Sequence, residues 1–154
     1  MASVVRLKRA YEKPDEGDGW RVLVDRLWPR GLTRGALAVD AWMKDVAPSE
    51  ELRRWFGHAP ERWREFEERY REELSREPAD ELVQELAQRA GRGTLTLVYG
   101  AKDELHNQAV VLREVVQARL GANKGDGSRR TSPAGSGSRK RKPGTATRRS
   151  AQGA

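Results

Sequence analysis

Two short stretches concentrate the side chains that can bind or move charge. The first, Asp25-Arg26-Leu27-Trp28-Pro29-Arg30-Gly31, sets two guanidiniums four residues apart beside a rigid proline and an indole. That set suits a planar anion such as a carboxylate or phosphate. The structural alternative is that Arg26 pairs with Asp25 or another carboxylate while Trp28 packs in the core. The second stretch, Tyr99-Gly100-Ala101-Lys102-Asp103-Glu104-Leu105-His106-Asn107, leads through a small-residue turn into a helix start. Free backbone N–H groups and the positive end of the helix dipole attract anions there, and Lys102 adds a full charge. The pattern is less specific than a P-loop, because it lacks the long glycine-rich loop and the GK[ST] ending. Asp103 is either a plain N-cap or an acid of the site, and His106, in the first helical turn and facing either the crevice or the core, is the candidate proton carrier near neutral pH. The residues assigned to a shared site are therefore Arg26, Trp28, Arg30, Lys102 and Asn107 for binding, with Asp25, Asp103 and His106 for proton handling and orientation.

A third stretch, from Trp42 through Lys44 and Ser49 to Arg53, Trp55, Phe56 and His58, mixes aromatics with charge. Trp55 and Phe56 read as core; Lys44, Ser49 and Arg53 read either as a pocket rim or as a capped surface helix. The chain has no Cys, which excludes disulfides, thiolate nucleophiles, iron–sulfur clusters and Cys-based zinc sites. With only His58 and His106 as imidazoles, no metal site is assigned. No cofactor fingerprint, nucleophile elbow or HExxH motif is present.

Charge divides the chain. Residues 1–121 hold 21 Lys and Arg against 22 Asp and Glu, whereas 122–154 hold 9 against 1, so the formal +7 belongs to the end of the chain. That segment has no Val, Leu, Ile, Met, Phe, Trp or Tyr and cannot bury enough apolar surface to offset its ordering entropy. The expected organisation is one α/β domain over 1–121 and a disordered basic tail over 122–154. Such a tail either attracts nucleic acid and other polyanions without reading sequence or is a solubilising extension. Nothing resembles a secretory leader, membrane span or lipidation motif, and the expectation is a cytoplasmic protein with no membrane partner.

The elements that must hold the two stretches follow from periodicity. Residues 4–11 read as a strand; a second, from Trp20 to a stop at Pro29-Arg30-Gly31, has its buried part at 21–24 covered on both faces. Leu37, Val39, Ala41 and Met43 alternate as in a half-buried strand, although a loose helical turn fits almost as well. Ser49 caps a short helix to about Gly57, and Trp63, Phe66, Tyr70 and Leu74 form the buried stripe of the next. Pro78 opens a third helix with Leu82, Val83, Leu86 and Ala90 inward and Gly91 as a left-handed C-cap. Residues 94–99 are the clearest strand. Asp103 then caps a final helix that buries Leu105, Ala109, Leu112 and Val116 and stops at Gly121. Strands separated by helices predict a small α/β domain with a mainly parallel sheet flanked by helices.

At these motifs the chain resembles the YeaO-like proteins of domain-of-unknown-function family 488. The matching words are Val22-Leu-Val-Asp-Arg-Leu-Trp-Pro-Arg-Gly31, Trp42-Met-Lys-Asp-Val-Ala-Pro-Ser49, Leu52-Arg-Arg-Trp-Phe-Gly-His58 and Thr96-Leu-Val-Tyr-Gly-Ala-Lys-Asp103 followed by His106-Asn107. The resemblance implies a small α/β domain with an Asp-Arg element after an early strand (Asp25, Arg26) and a Lys-Asp element with a following His after a late one (Lys102, Asp103, His106). Many relatives in the broader family carry a Cys-His pair after the Lys-Asp, where this chain has His106-Asn107. The resemblance supplies a fold and a pocket but no reaction. The leading expectation is a crevice that binds a small anionic or nucleotide-like ligand, with hydrolytic or transfer chemistry on a phosphate-bearing compound if there is turnover. The competing one is a non-enzymatic nucleic-acid accessory protein whose tail supplies the affinity.

Overall fold

Aliphatic runs bracketed by glycine and turn residues become four strands in the computed structural model, which describes residues 4–129. They are β1 (Val5–Arg9), β2 (Trp20–Leu23), β3 (Ala41–Trp42) and β4 (Leu95–Tyr99). The sheet order is β1-β4-β2-β3, and every neighbouring pair is parallel. In register, β4 has Leu97 opposite Leu7 on one side and Val22 on the other. All five residues of this central strand are buried, as its unbroken run of β-formers requires. The chain divides into two units, Met1–Leu120 and Gly121–Ala154, and the sheet lies wholly in the first.

Five helices accompany the sheet: α1 (Arg34–Leu37), α2 (Glu50–Phe56), α3 (Trp63–Leu74), α4 (Ala79–Arg92) and α5 (Gln108–Arg129). Alternation along the strands sorts their side chains into two cores. Val22, Leu95 and Leu97 pack with Phe56, Phe66, Tyr70, Leu86 and Leu112 from α2 to α5. Leu23 and Val98 pack with Ala10 and Leu37 beneath Trp28 and Trp42. The covering is thus unequal, with four helices against one face and α1 and loops against the other.

The second face also buries charge. Asp18 is fully buried, with Arg21 Nη1 at 2.6 Å, Lys8 Nζ at 3.1 Å and Arg6 Nη1 at 3.7 Å. Burial pushes its carboxyl upward, but hydrogen bonds from Lys8, the Asp15 N–H and Arg21 outweigh burial and hold it below the ordinary 3.8. The Asp18 carbonyl accepts from Thr96 Oγ1 at 2.6 Å, tying the turn before β2 to β4. Gly19 sits in that turn at φ +65°, with the Thr94 carbonyl so close that a Cβ would stand 2.3 Å from its oxygen.

Several boundaries differ from the sequence expectations for local reasons. Of the alternating stretch 37–43, only Ala41 and Trp42 are strand. Thr33 caps α1 through a bond from the Ala36 N–H, and Ala38, at φ 52°, ends it. Gly91 lies inside α4 rather than capping it; a Cβ there would meet Leu120 Cδ1 at 3.4 Å, so the glycine serves close helix packing. The last helix begins at Gln108 instead of just after Asp103, which leaves Leu105 73% exposed rather than buried. It also runs past the stop expected at Gly121, to Arg129. The rest of the expected tail, 130–154, lies outside the described residues. Among the described residues no helix is long and apolar enough to cross a membrane.

Candidate functional site

In a parallel sheet every strand points its carboxyl end the same way, so the loops that leave the strands gather at one edge. Tyr11 follows β1, residues 25–30 follow β2, and residues 100–108 follow β4 into α5. Together with the end of α2 they enclose a crevice of about 540 Å³, within the usual range for a small-molecule site. Asp25, Arg26, Trp28, Arg30, His106 and Asn107, all assigned from sequence, line it, and so do Tyr11, Arg53, His58 and Gln108. Phe56 and Phe66 supply apolar wall.

Asp25 joins the two strand ends. Its Oδ2 accepts the Gly100 N–H at 2.8 Å, its Oδ1 accepts the Gln108 side-chain amide, and its carbonyl accepts Trp42 Nε1–H at 2.7 Å. Burial pushes its carboxyl up from 3.8 to about 6, while the Gly100 and Gln108 bonds pull the other way. Gly100 leaves room for this contact: a Cβ there would lie 2.9 Å from Oδ2, so the carboxylate end of Asp25 would have to shift.

Arg26 does not pair with Asp25. Its guanidinium donates to the Pro48 and Ala47 carbonyls at 3.3 Å each. Neither it nor Arg30 takes part in any ion pair among the described residues. Trp28 combines both sequence readings. It touches the crevice, yet its Nε1–H donates to the Leu32 carbonyl at 2.7 Å and its ring packs edge-on to Trp42 at 5.3 Å.

His106 Nδ1 stands 3.0 Å from Asp103 Oδ2, and its ring meets Trp63 edge-on at 5.2 Å. Carboxylate and indole together fix the imidazole with Nδ1 facing Asp103, which leaves Nε2 as its free nitrogen. The Leu105 N–H, the His106 side chain and the His106 N–H hold Asp103 below the ordinary 3.8. Asp103 thus caps the turn before α5. The cap of the helix itself is Asn107, whose Oδ1 accepts the Ala109 and Val110 N–H groups at 2.9 and 3.2 Å and whose Nδ2 donates to the Asp103 carbonyl. Its polar atoms are committed to the fold.

Lys102 is exposed and absent from the lining, because the turn that places Gly100 and Ala101 at the crevice leaves the next side chain outside. Ser49 is likewise absent, being occupied as the α2 cap and bonded through its hydroxyl to Glu73 at 2.6 Å. Lys44 lies over the Trp42 ring at 4.3 Å. Phe56 is core, whereas Trp55 is half-buried with the guanidiniums of Arg62 and Arg69 over its ring. Of the rim residues weighed in that stretch, Arg53 alone reaches the crevice, joined by His58. His58 holds φ at 58°, directly after Gly57 at 52°. A non-glycine residue there costs about 1–2 kcal/mol, a strain often found at binding sites. Tyr11 and Gln108 carried no motif. The rule that ligands sit beyond the strand carboxyl ends would have found Tyr11, once β1 was known to neighbour β4.

Comparison with known proteins adds a family. Residues 4–135 match DUF488-N3i, described as the inactive DUF488-N3 subclade. The Mycobacterium tuberculosis protein Rv3073c is 44% identical over 115 residues, covering 75% of this chain and 95% of that protein. Escherichia coli YeaO is 40% identical over 110 residues, covering 71% and 94% respectively. No solved structure matches the chain.

Proposed function

The chain belongs to the YeaO-like DUF488 family, and from that membership and the crevice geometry we propose that it binds a small, nucleotide-sized anion without turning it over. The observation that carries this is the cationic lining. Arg26, Arg30, Arg53, His58 and His106 border one hollow, and among the described residues the guanidinium of Arg26 makes two long bonds to carbonyls and no ion pair. A guanidinium with no carboxylate partner in a partly desolvated crevice is a strong receptor for phosphate or carboxylate oxygens. Asp103 positions His106, so that its Nε2 can donate to the same anion when the ring is protonated. Tyr11, Phe56 and Phe66 would face the remainder of the ligand.

Binding without catalysis is supported in two ways. Among the described residues no serine, threonine or cysteine lines the crevice, and the one hydroxyl in the lining, that of Tyr11, donates to the Arg30 carbonyl at 2.9 Å. The matched subclade is described as inactive. The side chains of the described lining able to take or give a proton are Tyr11, Asp25, His58 and His106.

A thermal-shift screen of the full chain against inorganic phosphate, ribose 5-phosphate and adenosine monophosphate tests the proposal. A ligand at about 100 times its Kd adds roughly 2.7 kcal/mol to stability. Stabilisation by phosphate esters with no release of inorganic phosphate is expected. A flat screen refutes binding, and phosphate release refutes the absence of turnover. The nucleic-acid accessory alternative predicts instead a salt-sensitive affinity for polyanions that Arg26→Ala does not change.

A further inference from the structure

On the reading that the crevice binds an anion, we propose that its ligand is a phosphate ester carrying a hydrogen-bond donor, a hydroxyl or an N–H, next to the phosphate, and that Asp25 reads that donor. Among the described residues Asp25 is the single carboxylate of a lining that also holds cations, apolar side chains, Tyr11 and the amides of Asn107 and Gln108. Among the described residues it forms no ion pair, and neither do Arg26 and Arg30, so those two guanidiniums are left for the ligand. Each of its oxygens accepts one hydrogen bond, Oδ2 from Gly100 and Oδ1 from Gln108. An ionised carboxylate offers about four acceptor sites, so roughly two remain.

Those sites decide what the crevice tolerates. A bare oxyanion presents only acceptors and would meet Asp25 as a like charge. A sugar phosphate or nucleotide can turn its phosphate to the arginines and a hydroxyl or N–H to Asp25, which removes the repulsion and satisfies the carboxylate together. The raised Asp25 carboxyl, caused by burial, fits a group held without a counter-charge. Discrimination of this type is steep, because a site built to bond a donor rejects the analogue that lacks it.

The test is calorimetric titration of the full chain at mildly alkaline pH with two probes, ribose 5-phosphate and methyl phosphate, the second lacking any hydroxyl. The wild type should prefer ribose 5-phosphate by about tenfold or more, the range expected for a hydrogen bond to a charged group. Asp25→Asn should weaken ribose 5-phosphate and tighten methyl phosphate, two changes of opposite sign. Gly100→Ala, which crowds the carboxylate rather than deleting it, gives a second variant, and it should weaken ribose 5-phosphate alone. Equal wild-type affinities, or changes of the same sign for both probes, overturn the donor proposal while leaving anion binding intact. If neither probe binds the wild type, the donor proposal falls, and anion binding falls with it when inorganic phosphate and adenosine monophosphate give no thermal shift either.

Discussion

Replacing Asp25 by Asn should change how stability depends on pH, and the size follows from the carboxyl's surroundings. Burial raises the folded-state value from 3.8 to about 6. Between those values the unfolded chain releases a proton that the folded protein keeps, so stability falls as pH rises. The total penalty is about 3 kcal/mol, fully absent below the unfolded value and fully present above the folded one. Most of it, about 2.5 kcal/mol, develops between about pH 4 and about pH 8. Asn does not titrate. Its amide can keep the Gly100 bond through its oxygen and the Gln108 bond after an amide flip, so any remaining difference is independent of pH. Groups with lowered values, Asp18 and Asp103, titrate alike in both proteins and cancel in the comparison. Urea unfolding of wild type and variant across that range is the assay. The variant should gain on the wild type by about 2.5 kcal/mol toward the alkaline end. Parallel curves would show that Asp25 is not held in the desolvated position described here, and the reasoning would fail.

Other substitutions probe the fold and the crevice separately. Asp18→Asn leaves Arg21 and Lys8 without their buried partner and should cost about 3–5 kcal/mol in urea unfolding near neutral pH. Gly19→Ala drives a Cβ into the Thr94 carbonyl at positive φ, and a loss of about 3 kcal/mol or more in stability is expected. Gly100→Ala meets only the movable end of Asp25 and should cost about 1 kcal/mol by the same measurement. His58→Gly relieves a left-handed backbone and should hold stability within about 1 kcal/mol, while phosphate-ester affinity measured by calorimetry drops. A His58→Gly variant that binds as tightly as wild type removes His58 from the anion site.

The elements legible in the sequence are those whose signals are local. Ser49 before Glu50 and Glu51, and Gly57 after Phe56, bound α2 as capping chemistry dictates. The Trp63, Phe66, Tyr70 and Leu74 stripe becomes the buried face of α3, with Trp63 at its partly exposed end. Choices between two similar local signals were not legible. Asp103 and Asn107 are both able to cap a helix, and the decision falls to Asn107 because Asp103 is drawn into the His106 turn. Gly91 looks like a helix stop until Leu120 is seen against it. The candidate site was legible as two charged turns, since each is compact in sequence. That Arg26 would turn to the Ala47 and Pro48 carbonyls, and that Gln108 would take one oxygen of Asp25, depends on packing across more than twenty residues of separation.

Calorimetric titration of wild type and Arg26→Ala with ribose 5-phosphate, alongside urea unfolding of both, bears most directly on whether this crevice is an anion receptor. The two carbonyl bonds of Arg26 are long, so stability should change by no more than about 1 kcal/mol. Affinity should fall by about tenfold to a hundredfold, the worth of a charge-assisted bond to phosphate. Unchanged affinity, or a variant that loses several kcal/mol of stability beside a wild type that binds nothing, would show that Arg26 holds the fold together and receives no ligand.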